Sequence, residues 1–502
     1  MALFFIGTLC PLLPDASDWR ETGRKILLEH TLGKVLADGA YFEQSTYYHV
    51  YALDFFLHAR MLAERNGTPF PGGYDGVLVE MLKHLSFLCQ AGPPPRFGDD
   101  DGGRVFDPRR NRAEHLCDPL AIGTALYHLN ILKRPGVGIT EEMLWLLGEQ
   151  GLRVFSAYPE WKSQSSARFS HTGLYVSHAG DTSRSQVVMD GGPLGGGSGG
   201  HGHADALSLT MNLDGKPLLV DPGACNYFGP GSERERFRST QAHNTLTVDR
   251  LPQAEPRTPF SWFRWPEVTI ETVAFMPEFD FIAASHDGYA RLQPPATHRR
   301  TLFTPREGFW FVLDELTSDG PHDYDLHWHL APGAEIKHQA ADGWIVELEG
   351  SRLHVLTAAD GWRCIVKAGW FSPSYGRKQA APVLTVTKSA RGRERIATVL
   401  WAGTLNGPSP TLTALSDSSG IPAYCVTMGA NRSMFFFSDG VSTLEVEGWE
   451  SDARFLYGIL DADGIPLRLV SVQSKFVRYK GKTLHESTQR VAHFAWERTV
   501  SS

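Results

Sequence analysis

Four side chains capable of metal binding or proton transfer lie within one short stretch of this 502-residue chain. His201, His203, Asp221 and His243 each stand beside a strand-like apolar run. His203, Asp221 and His243 supply two imidazoles and one carboxylate, a ligand set that suits a zinc-type ion. His201 precedes the first of them by two residues, and on a strand that spacing would put both imidazoles on one face. One imidazole would then bind metal while the other stays free for proton transfer.

The neighbouring residues indicate how these side chains would be held. Apolar runs at 206–211 and 217–220 predict buried strands, and the Asp-Pro-Gly sequence at 221–223 predicts the turn that ends the second strand. An aspartate that closes one strand and a histidine that opens the next would meet at the rim of a sheet. Two alternatives stay open, because an HxH pair can arise by chance among 20 histidines and the glycine run at 195–200 can be a flexible linker.

A second group of reactive side chains follows Ser45, a predicted helix N-cap. Tyr47, Tyr48, His49 and Tyr51 stand within five residues of one another. Neighbours on a helix diverge by about 100°, so these four side chains cannot all face one core. Some of them must point into a cavity or cleft, although packing in the core is the usual role of a helical tyrosine.

Three segments carry a resemblance to a known family. HGHADALSL, LLVDPGACNY and RSTQAHNTLTVD resemble the C-terminal domain of the heparinase II/III-like polysaccharide lyases. The resemblance implies that His203, Asp221 and His243 hold one structural divalent ion, zinc or similar, and that His201 takes part in β-elimination. The segment that begins at Asp38-Gly and continues as E-x-S-x-x-Y-H resembles the part of the family that carries its catalytic tyrosine, which implies a catalytic role for Tyr48.

Further residues are candidates for contact with substrate. We expect Gln44, His49 and Tyr227 to lie near the sugar, and we expect Arg238 to bind a carboxylate or sulfate because its planar guanidinium suits bidentate contact. Helix packing, capping or solvation is the alternative for each. The three consecutive aspartates at 99–101 lack the EF-hand pattern of a calcium site and are expected to form a solvated loop.

Helical periodicity dominates the first 155 residues. It predicts helices over 17–36, 45–64, 77–88, 120–132 and 141–155, with loops rich in proline and glycine between them. Repeated helical hairpins of this kind, together with the resemblance, imply an α/α toroid with fewer helices than a full ring. In the resembled family an asparagine neutralises the uronate carboxylate from a helix upstream of a stretch like MALFFIGTLCP. This chain starts at that stretch, so no residue is assigned to that role.

Short β-rich runs separated by turn residues follow from about residue 169 and predict a large antiparallel sandwich. The expected fold is multidomain α + β, with an incomplete N-terminal α/α toroid followed by a large antiparallel β-sandwich. We place the toroid at 1–156, the sandwich with the metal site at 157–393, and C-terminal sandwich layers at 394–502. Whether the last region is a separate domain is left open.

Composition limits the classes of function. The formal net charge of −8 argues against a general nucleic-acid partner, and no apolar run approaches the length of a membrane span. Six cysteines without CxxC spacing suggest neither a thiolate metal site nor a required disulfide framework. The N-terminus lacks the basic region and cleavage motif of a signal peptide, whereas the family resemblance implies a periplasmic or secreted protein.

The resemblance implies a polysaccharide lyase that cleaves a uronic-acid-containing polymer of glycosaminoglycan or alginate type. The helical region would present Tyr48 and the sheet region His201, across a cleft wide enough for an acidic sugar. Two alternatives remain: a metal-dependent glycan hydrolase, in which the ion generates the nucleophile, and a non-catalytic glycan-binding protein. The sequence leaves the polymer, the mode of attack along it and the oligomeric state undetermined.

Overall fold

Helices come first and sheets follow in the computed structural model of the protein. It describes residues 1–106, 115–180, 184–229, 233–340, 342–404, 407–415, 421–438, 440 and 442–498. The helices in these ranges are α1 (Ala2–Leu9), α2 (Ala16–Lys34), α3 (Thr46–Arg65), α4 (Gly73–Leu88), α5 (Asp118–Tyr127), α6 (Glu141–Ala157) and the short α7 (Arg234–Phe237). Single 3₁₀ turns lie at His115–Cys117, Asn130–Leu132 and Thr240–Ala242.

The predicted helices form, with one shortened. Ser45 caps α3 as expected, since its side-chain oxygen accepts a hydrogen bond from the Tyr48 N–H at 3.2 Å. The helix expected over 120–132 ends at Tyr127, because His128 adopts the left-handed conformation with φ of 57°. None of the helices in the described ranges combines the length and the apolar character that a membrane crossing requires.

The strands of the described residues form three antiparallel sheets and one separate hairpin. The first sheet has the order β1-β2-β3-β4-β5 and comprises β1 (Ala167–Phe169), β2 (Leu174–His178), β3 (Gln186–Asp190), β4 (Leu209–Leu213) and β5 (Lys216–Leu219). The central sheet comprises β6 (Leu246–Val248), β9 (Val268–Phe275), β10 (Phe279–His286), β11 (Ala296–Pro305), β12 (Phe309–His329), β13 (Glu335–Ala340), β14 (Gly343–Leu348), β15 (Ser351–Ala358), β16 (Arg363–Ser374) and β17 (Arg377–Gly403). The hairpin comprises β7 (Glu255–Thr258) and β8 (Ser261–Arg264). The outer sheet comprises β18 (Thr411–Leu415), β19 (Ala423–Met428), β20 (Asn431–Phe437), β21 (Leu444–Val446), β22 (Trp449–Ser451), β23 (Phe455–Leu460), β24 (Pro466–Tyr479) and β25 (Lys482–Glu497).

Alternation along the strands shows how the layers stack. On β12 the side chains of Trp310 and Val312 belong to the core shared with the first sheet, whereas Phe311 belongs to the core shared with the outer sheet. On β3 the side chain of Val187 faces the central sheet, and that of Val188 packs against the helical region. The order of layers is therefore helices, first sheet, central sheet and outer sheet, and the last region is a further layer of the sandwich.

The expected boundary between residues 393 and 394 is wrong. It falls inside β17, which runs from Arg377 to Gly403 and pairs with β12 as far as Trp401. The outer sheet begins only at Thr411. The strand continues through the residues near 390 because residues 388–396 pair with β12. At the other boundary, α6 ends at Ala157, one residue after the expected position.

Candidate active site

Tyr48 and His201 meet where the first turn of α3 approaches the loop between β3 and β4. Their ring centroids lie 3.7 Å apart and their planes are inclined by 21°, so the rings stack directly. The expectation of a sugar-sized gap between these two side chains is therefore wrong. The two rings instead present a phenol and an imidazole side by side, so a bound molecule would meet the edges of both rings from one side.

His201 and His203 lie on a loop, not on the strand that their spacing suggested. A strand is excluded because the chain folds back tightly here: a Cβ on Gly202 would stand 1.6 Å from the carbonyl oxygen of Leu194. The glycine run is packed, since the Gly196 N–H donates to the carbonyl of Phe42 at 2.9 Å. The glycine run therefore packs against the segment that precedes α3 and is not a flexible linker.

Asp99 joins the two histidines and is a residue of the candidate site that the sequence did not reveal. Its buried carboxylate lies 3.1 Å from Nδ1 of His201 and 3.2 Å from Nε2 of His203, and accepts a hydrogen bond from Arg234 at 2.5 Å. Burial alone would raise the pKa of Asp99, but these hydrogen bonds hold it below its ordinary value. The expectation of a solvated loop at 99–101 is wrong, because tertiary contacts bury Asp99 and Asp100.

The loop that carries Asp99 connects the helical region to the histidine loop. The Asp99 N–H donates to the carbonyl of His201 at 2.9 Å, and the Ser45 hydroxyl donates to the carbonyl of Asp99 at 2.7 Å. Gly98, with φ of 72°, lets the chain pass between them, since a Cβ there would stand 2.5 Å from the His201 carbonyl oxygen. The position of His201 relative to α3 is therefore fixed through this loop.

The hydroxyl of Tyr48 is kept protonated by its surroundings. It donates to Asp101 at 3.3 Å and lies beside the hydroxyl of Tyr227. Burial, reinforced by the charges of Asp101 and Asp99, raises the pKa of Tyr48, while the contact with Tyr227 opposes the rise. At neutral pH this side chain is a proton donor. His201, with Nδ1 turned to Asp99, leaves Nε2 without a hydrogen-bond partner among the described residues, and that nitrogen can accept a proton.

The predicted metal ligands converge. His203, Asp221 and His243 are buried, and each offers a ligand atom within 4.8 Å of the other two. Zinc–nitrogen bonds of about 2.1 Å require ligand separations of roughly 3.5 Å, so a small contraction would close the set. Nδ1 of His203 and Nε2 of His243 are buried and have no hydrogen-bond partner among the described residues. Two orphaned imidazole nitrogens beside a carboxylate fit a divalent ion.

Two further buried carboxylates strengthen the case for a cation at this position. Burial raises the pKa of Asp190 to about 7, and the charge of Asp221 adds to the rise. Burial and the charge of Asp190 also raise the pKa of Asp205 well above its ordinary value. Nearby, Arg300 donates to the carbonyls of Leu207 and Asn244, which follow two of the ligands along the chain, but its charge is matched by Asp314.

A second cluster of potential ligands in the helical region is an ion-pair network. Asp54, His58 and Glu142 are close enough together to hold an ion. The guanidinium of Arg104 already occupies their centre, donating to both oxygens of Asp54 at 2.8 Å and to Glu142 at 2.8 Å. This network anchors the end of the loop that carries Asp99, and the guanidinium of Arg104 fills the position that an ion would take.

The structure brings one of the four expected substrate-contact residues, Tyr227, to the Tyr48–His201 pair. Tyr227 lies beside the Tyr48 hydroxyl, and its ring packs 5.1 Å from that of Phe260, which in turn lies 5.9 Å from the ring of His201. Gln44 is partly exposed on the turn before α3, in the left-handed conformation with φ of 58°. It faces the glycine run and stays a prediction for substrate contact.

The predictions for His49 and Arg238 are wrong. His49 is buried in the helical core, where Nδ1 accepts from the Tyr41 N–H and Nε2 lies 3.1 Å from the Met81 carbonyl; burial lowers its pKa to about 3. The side chain of Arg238 is 1% exposed, stacks on Trp262 and pairs with Glu235. The chain around these residues turns their polar groups inward, and spacing along the sequence does not reveal that direction.

Comparison with known proteins agrees with this geometry. The description "Heparinase II/III N-terminus" matches residues 1–103, and "Heparinase II/III-like, C-terminal" matches residues 162–402. A heparin-sulfate lyase of Bacteroides stercoris is 23% identical over 426 residues, covering 82% of this chain and 57% of that protein. A heparin-sulfate lyase of Bacteroides thetaiotaomicron is 23% identical over 345 residues, covering 66% and 45% respectively. The chain spans about half the length of the curated relatives it matches.

Solved structures share the fold. A crystal structure of heparinase III superposes with a TM-score of 0.66 at 17% identity, covering 86% of this chain and 65% of that one. A heparan sulfate lyase from Pedobacter heparinus superposes with a TM-score of 0.61 at 20% identity, covering 85% and 63%. The arrangement of helices followed by a layered antiparallel sandwich is thus common to this chain and those structures.

Proposed function

Because the chain belongs to the heparinase II/III-like family, we propose that it is a polysaccharide lyase that cleaves a uronic-acid-containing polymer by β-elimination. The observation that carries the proposal is the stacked pair of Tyr48 and His201, with a centroid separation of 3.7 Å. One ring keeps its proton and the other has a nitrogen free to take one. Such a pair suits a reaction that removes one proton and delivers another at adjacent carbons.

The proposed reaction runs as follows. Nε2 of His201 takes the proton from C5 of the uronate, and the electrons of that C–H bond form the C4–C5 double bond. The bond from C4 to the glycosidic oxygen breaks, and the Tyr48 hydroxyl protonates the departing oxygen. Because the two rings stack and present their edges together, both proton transfers occur on one side of the sugar. Asp99 holds the His201 imidazole through Nδ1 during the exchange.

Neutralising the uronate carboxylate lowers the barrier to removing the C5 proton, because it stabilises the enolate-like intermediate. Neither buried arginine beside the histidine loop is available for this task. Arg234 is committed to Asp99 and the Gly200 carbonyl, and Arg238 to Glu235 and the Thr258 carbonyl. The proposal therefore assigns proton transfer to the described residues and leaves carboxylate binding to another group.

We also propose one zinc-type ion bound by His203, Asp221 and His243, in a structural role. When bound, the ion would offset the charge of the buried carboxylates and tie the loop of His203 to the segment after β5 and the segment before β6, which carry the other two ligands. His201 lies on the same loop, so a bound ion would also help to fix the position of His201. The orphaned nitrogens of His203 and His243 support this assignment. Zinc content measured on purified protein, before and after chelation, tests it.

The proposed substrate is a glycosaminoglycan or alginate, and the proposed location is the periplasm or the exterior of the cell. The named relatives are heparin-sulfate lyases, which favours a glycosaminoglycan. A panel of heparan sulfate, chondroitin sulfate and alginate, read by near-ultraviolet absorbance of the new double bond, tests the activity and ranks the polymers. Cell fractionation tests the location.

The outcomes of the panel separate the proposal from its alternatives. A rise in absorbance that is lost in both His201→Ala and Tyr48→Phe supports the lyase. Cleavage into shorter chains without absorbance would point to a metal-dependent hydrolase. Binding without cleavage would point to a glycan-binding protein.

A further inference from the structure

The hairpin formed by β7 and β8 is pinned to the histidine loop. The indole N–H of Trp262 donates to the Gly199 carbonyl at 3.1 Å, and the Ser198 hydroxyl donates to the Phe260 carbonyl at 3.1 Å. Arg238 stacks on Trp262 and donates to the Thr258 carbonyl at 3.0 Å. The hairpin is therefore a rigid extension of the loop that carries His201, which is the kind of element that holds binding groups in register.

The tip of the hairpin reaches the Tyr48–His201 pair. The ring of Phe260 lies 5.9 Å from that of His201 and 5.1 Å from that of Tyr227. Phe228, which is 68% exposed, extends this contact, with its ring 5.8 Å from Phe260. An aromatic surface thus begins at the catalytic pair and continues outward.

The outer face of β8 carries further exposed aromatic side chains. Because side chains alternate along a strand, the burial of Trp262 turns Phe263 to the other side. Phe263 is 64% exposed and Trp265 is 43% exposed. Trp265 directly follows the last residue of β8. Large aromatic side chains left in water on a fixed element mark a binding surface.

Arg264 supplies a positive charge within this surface. Its guanidinium carbon lies 5.3 Å from the ring centroid of Phe263, and in the part of the chain that the structure describes it has no ion-pair partner. The neighbouring Arg291 differs, because it is committed to Glu255 at 3.0 Å. Phe263, Arg264 and Trp265 line an open depression of about 510 Å³, which has the volume of a typical small-ligand site.

We propose that Phe263, Arg264 and Trp265, here called the hairpin strip, bind sugar units of an acidic polysaccharide beyond the bond that is cleaved. The aromatic rings pack against the apolar faces of the sugars, and the Arg264 guanidinium pairs with a carboxylate or sulfate. The occupant is an acidic saccharide because the strip joins an uncommitted cation to aromatic rings and belongs to the hairpin whose tip, at Phe260, reaches His201. This inference rests on the proposed substrate class, but not on the chemistry of cleavage.

The test compares three variants by affinity electrophoresis in gels that contain heparan sulfate, chondroitin sulfate or alginate. Phe263→Ala/Trp265→Ala removes the rings, and Arg264→Ala removes the charge. Trp145→Ala is the matched control, because Trp145 is 67% exposed on α6, outside the strip. For the polymer that retards the native chain, we expect the double variant to raise the dissociation constant about tenfold, the effect of losing a modest hot spot. We expect Arg264→Ala to reduce the salt dependence of retardation, and the control to match the native chain.

Each other outcome decides the matter. Equal retardation of all variants, or no retardation of the native chain by any of the three polymers, overturns the inference. A change of oligomeric state in the double variant with unchanged saccharide affinity would assign the strip to self-association and also overturn it. Loss of affinity in the strip variants, when the native chain forms no unsaturated product, would uphold the strip and contradict the lyase. Where the chain is active, the strip variants should raise KM for long chains more than KM for the shortest cleaved oligosaccharide.

Discussion

Replacement of Asp99 by asparagine probes how the imidazole of His201, the proposed base, is held. Three donors converge on the two oxygens of this buried carboxylate, from His201, His203 and Arg234. Asparagine has nearly the same shape but one oxygen and an NH₂ group. At least one donor would then face another donor. We expect His201 to lose its fixed orientation, because the amide group can point its N–H toward Nδ1.

The magnitude follows from the contacts. A residue that orients a reactive or metal-binding imidazole typically contributes 10- to 100-fold in activity, so we expect Asp99→Asn to lower kcat by about 10- to 100-fold with a smaller change in KM. Arg234 would also lose its charged partner while its side chain stays 2% exposed. Breaking such a buried pair costs about 3–5 kcal/mol, which should lower the free energy of unfolding in urea.

Asp100→Asn is the matched control. Asp100 is also buried in this loop and accepts hydrogen bonds from Arg96 at 2.9 Å and from the Gly102 N–H at 2.8 Å, without touching His201. The Asp100→Asn variant should have a lower free energy of unfolding than the native chain. Its kcat, measured well below its unfolding temperature, should stay close to that of the native chain. If Asp99→Asn keeps native kcat, or if both variants lose kcat equally, the orienting role of Asp99 is refuted.

Three further predictions follow from the same contacts. Tyr48→Phe keeps a ring that can stack on His201 but removes the proton donor, so kcat should fall by about 10²–10⁴ with little change in the unfolding temperature; equal activity would contradict the role of the phenol. His243→Ala removes one proposed ligand, so bound zinc measured by mass spectrometry should fall, whereas His286→Ala, which removes a buried imidazole outside the ligand set, should retain it. Asp314 is buried against Arg300, and although burial opposes the shift, Arg300 and His298 lower its pKa. A carboxyl group whose pKa is lowered in the folded state stabilises that state at pH values above its ordinary pKa of about 3.9, and this stabilisation is lost as pH falls. The difference in unfolding free energy between the native chain and Asp314→Asn should therefore be large at pH 7 and small below about pH 4.

The convergence of His203, Asp221 and His243 and the meeting of Tyr48 with His201 could be anticipated from the sequence because each of these residues has a distinctive local setting. His243 opens a strand-like run and Asp221 closes another, and both positions become buried at the sheet rim. Tyr48 lies in the first turn of a helix that Ser45 caps, and the start of that helix depends on residues close to the cap. Helix positions in the first region were likewise predictable, because periodicity and capping depend on residues within a few turns.

Asp99 escaped prediction because its burial depends on residues far away in the chain. A run of three aspartates in a loop rich in proline and glycine has the composition of a solvated turn, and only contacts with His201, His203 and Arg234, more than 100 residues later, reverse that reading. The prediction that Arg238 binds an anion was wrong for a related reason. The number of residues between Arg238 and His243 does not show in which direction the Arg238 side chain points. The strand expected at the HxH pair failed because the close approach of Gly202 to Leu194 is a tertiary contact.

The masses of the two fragments released from one defined uronate oligosaccharide test the central claim most directly. If the stacked Tyr48 and His201 only move protons, the two fragments together have the mass of the starting oligosaccharide, and one of them carries the new double bond. If the two fragments together are one water heavier than the substrate, the chain is a hydrolase and the assignment of these two side chains to β-elimination is contradicted.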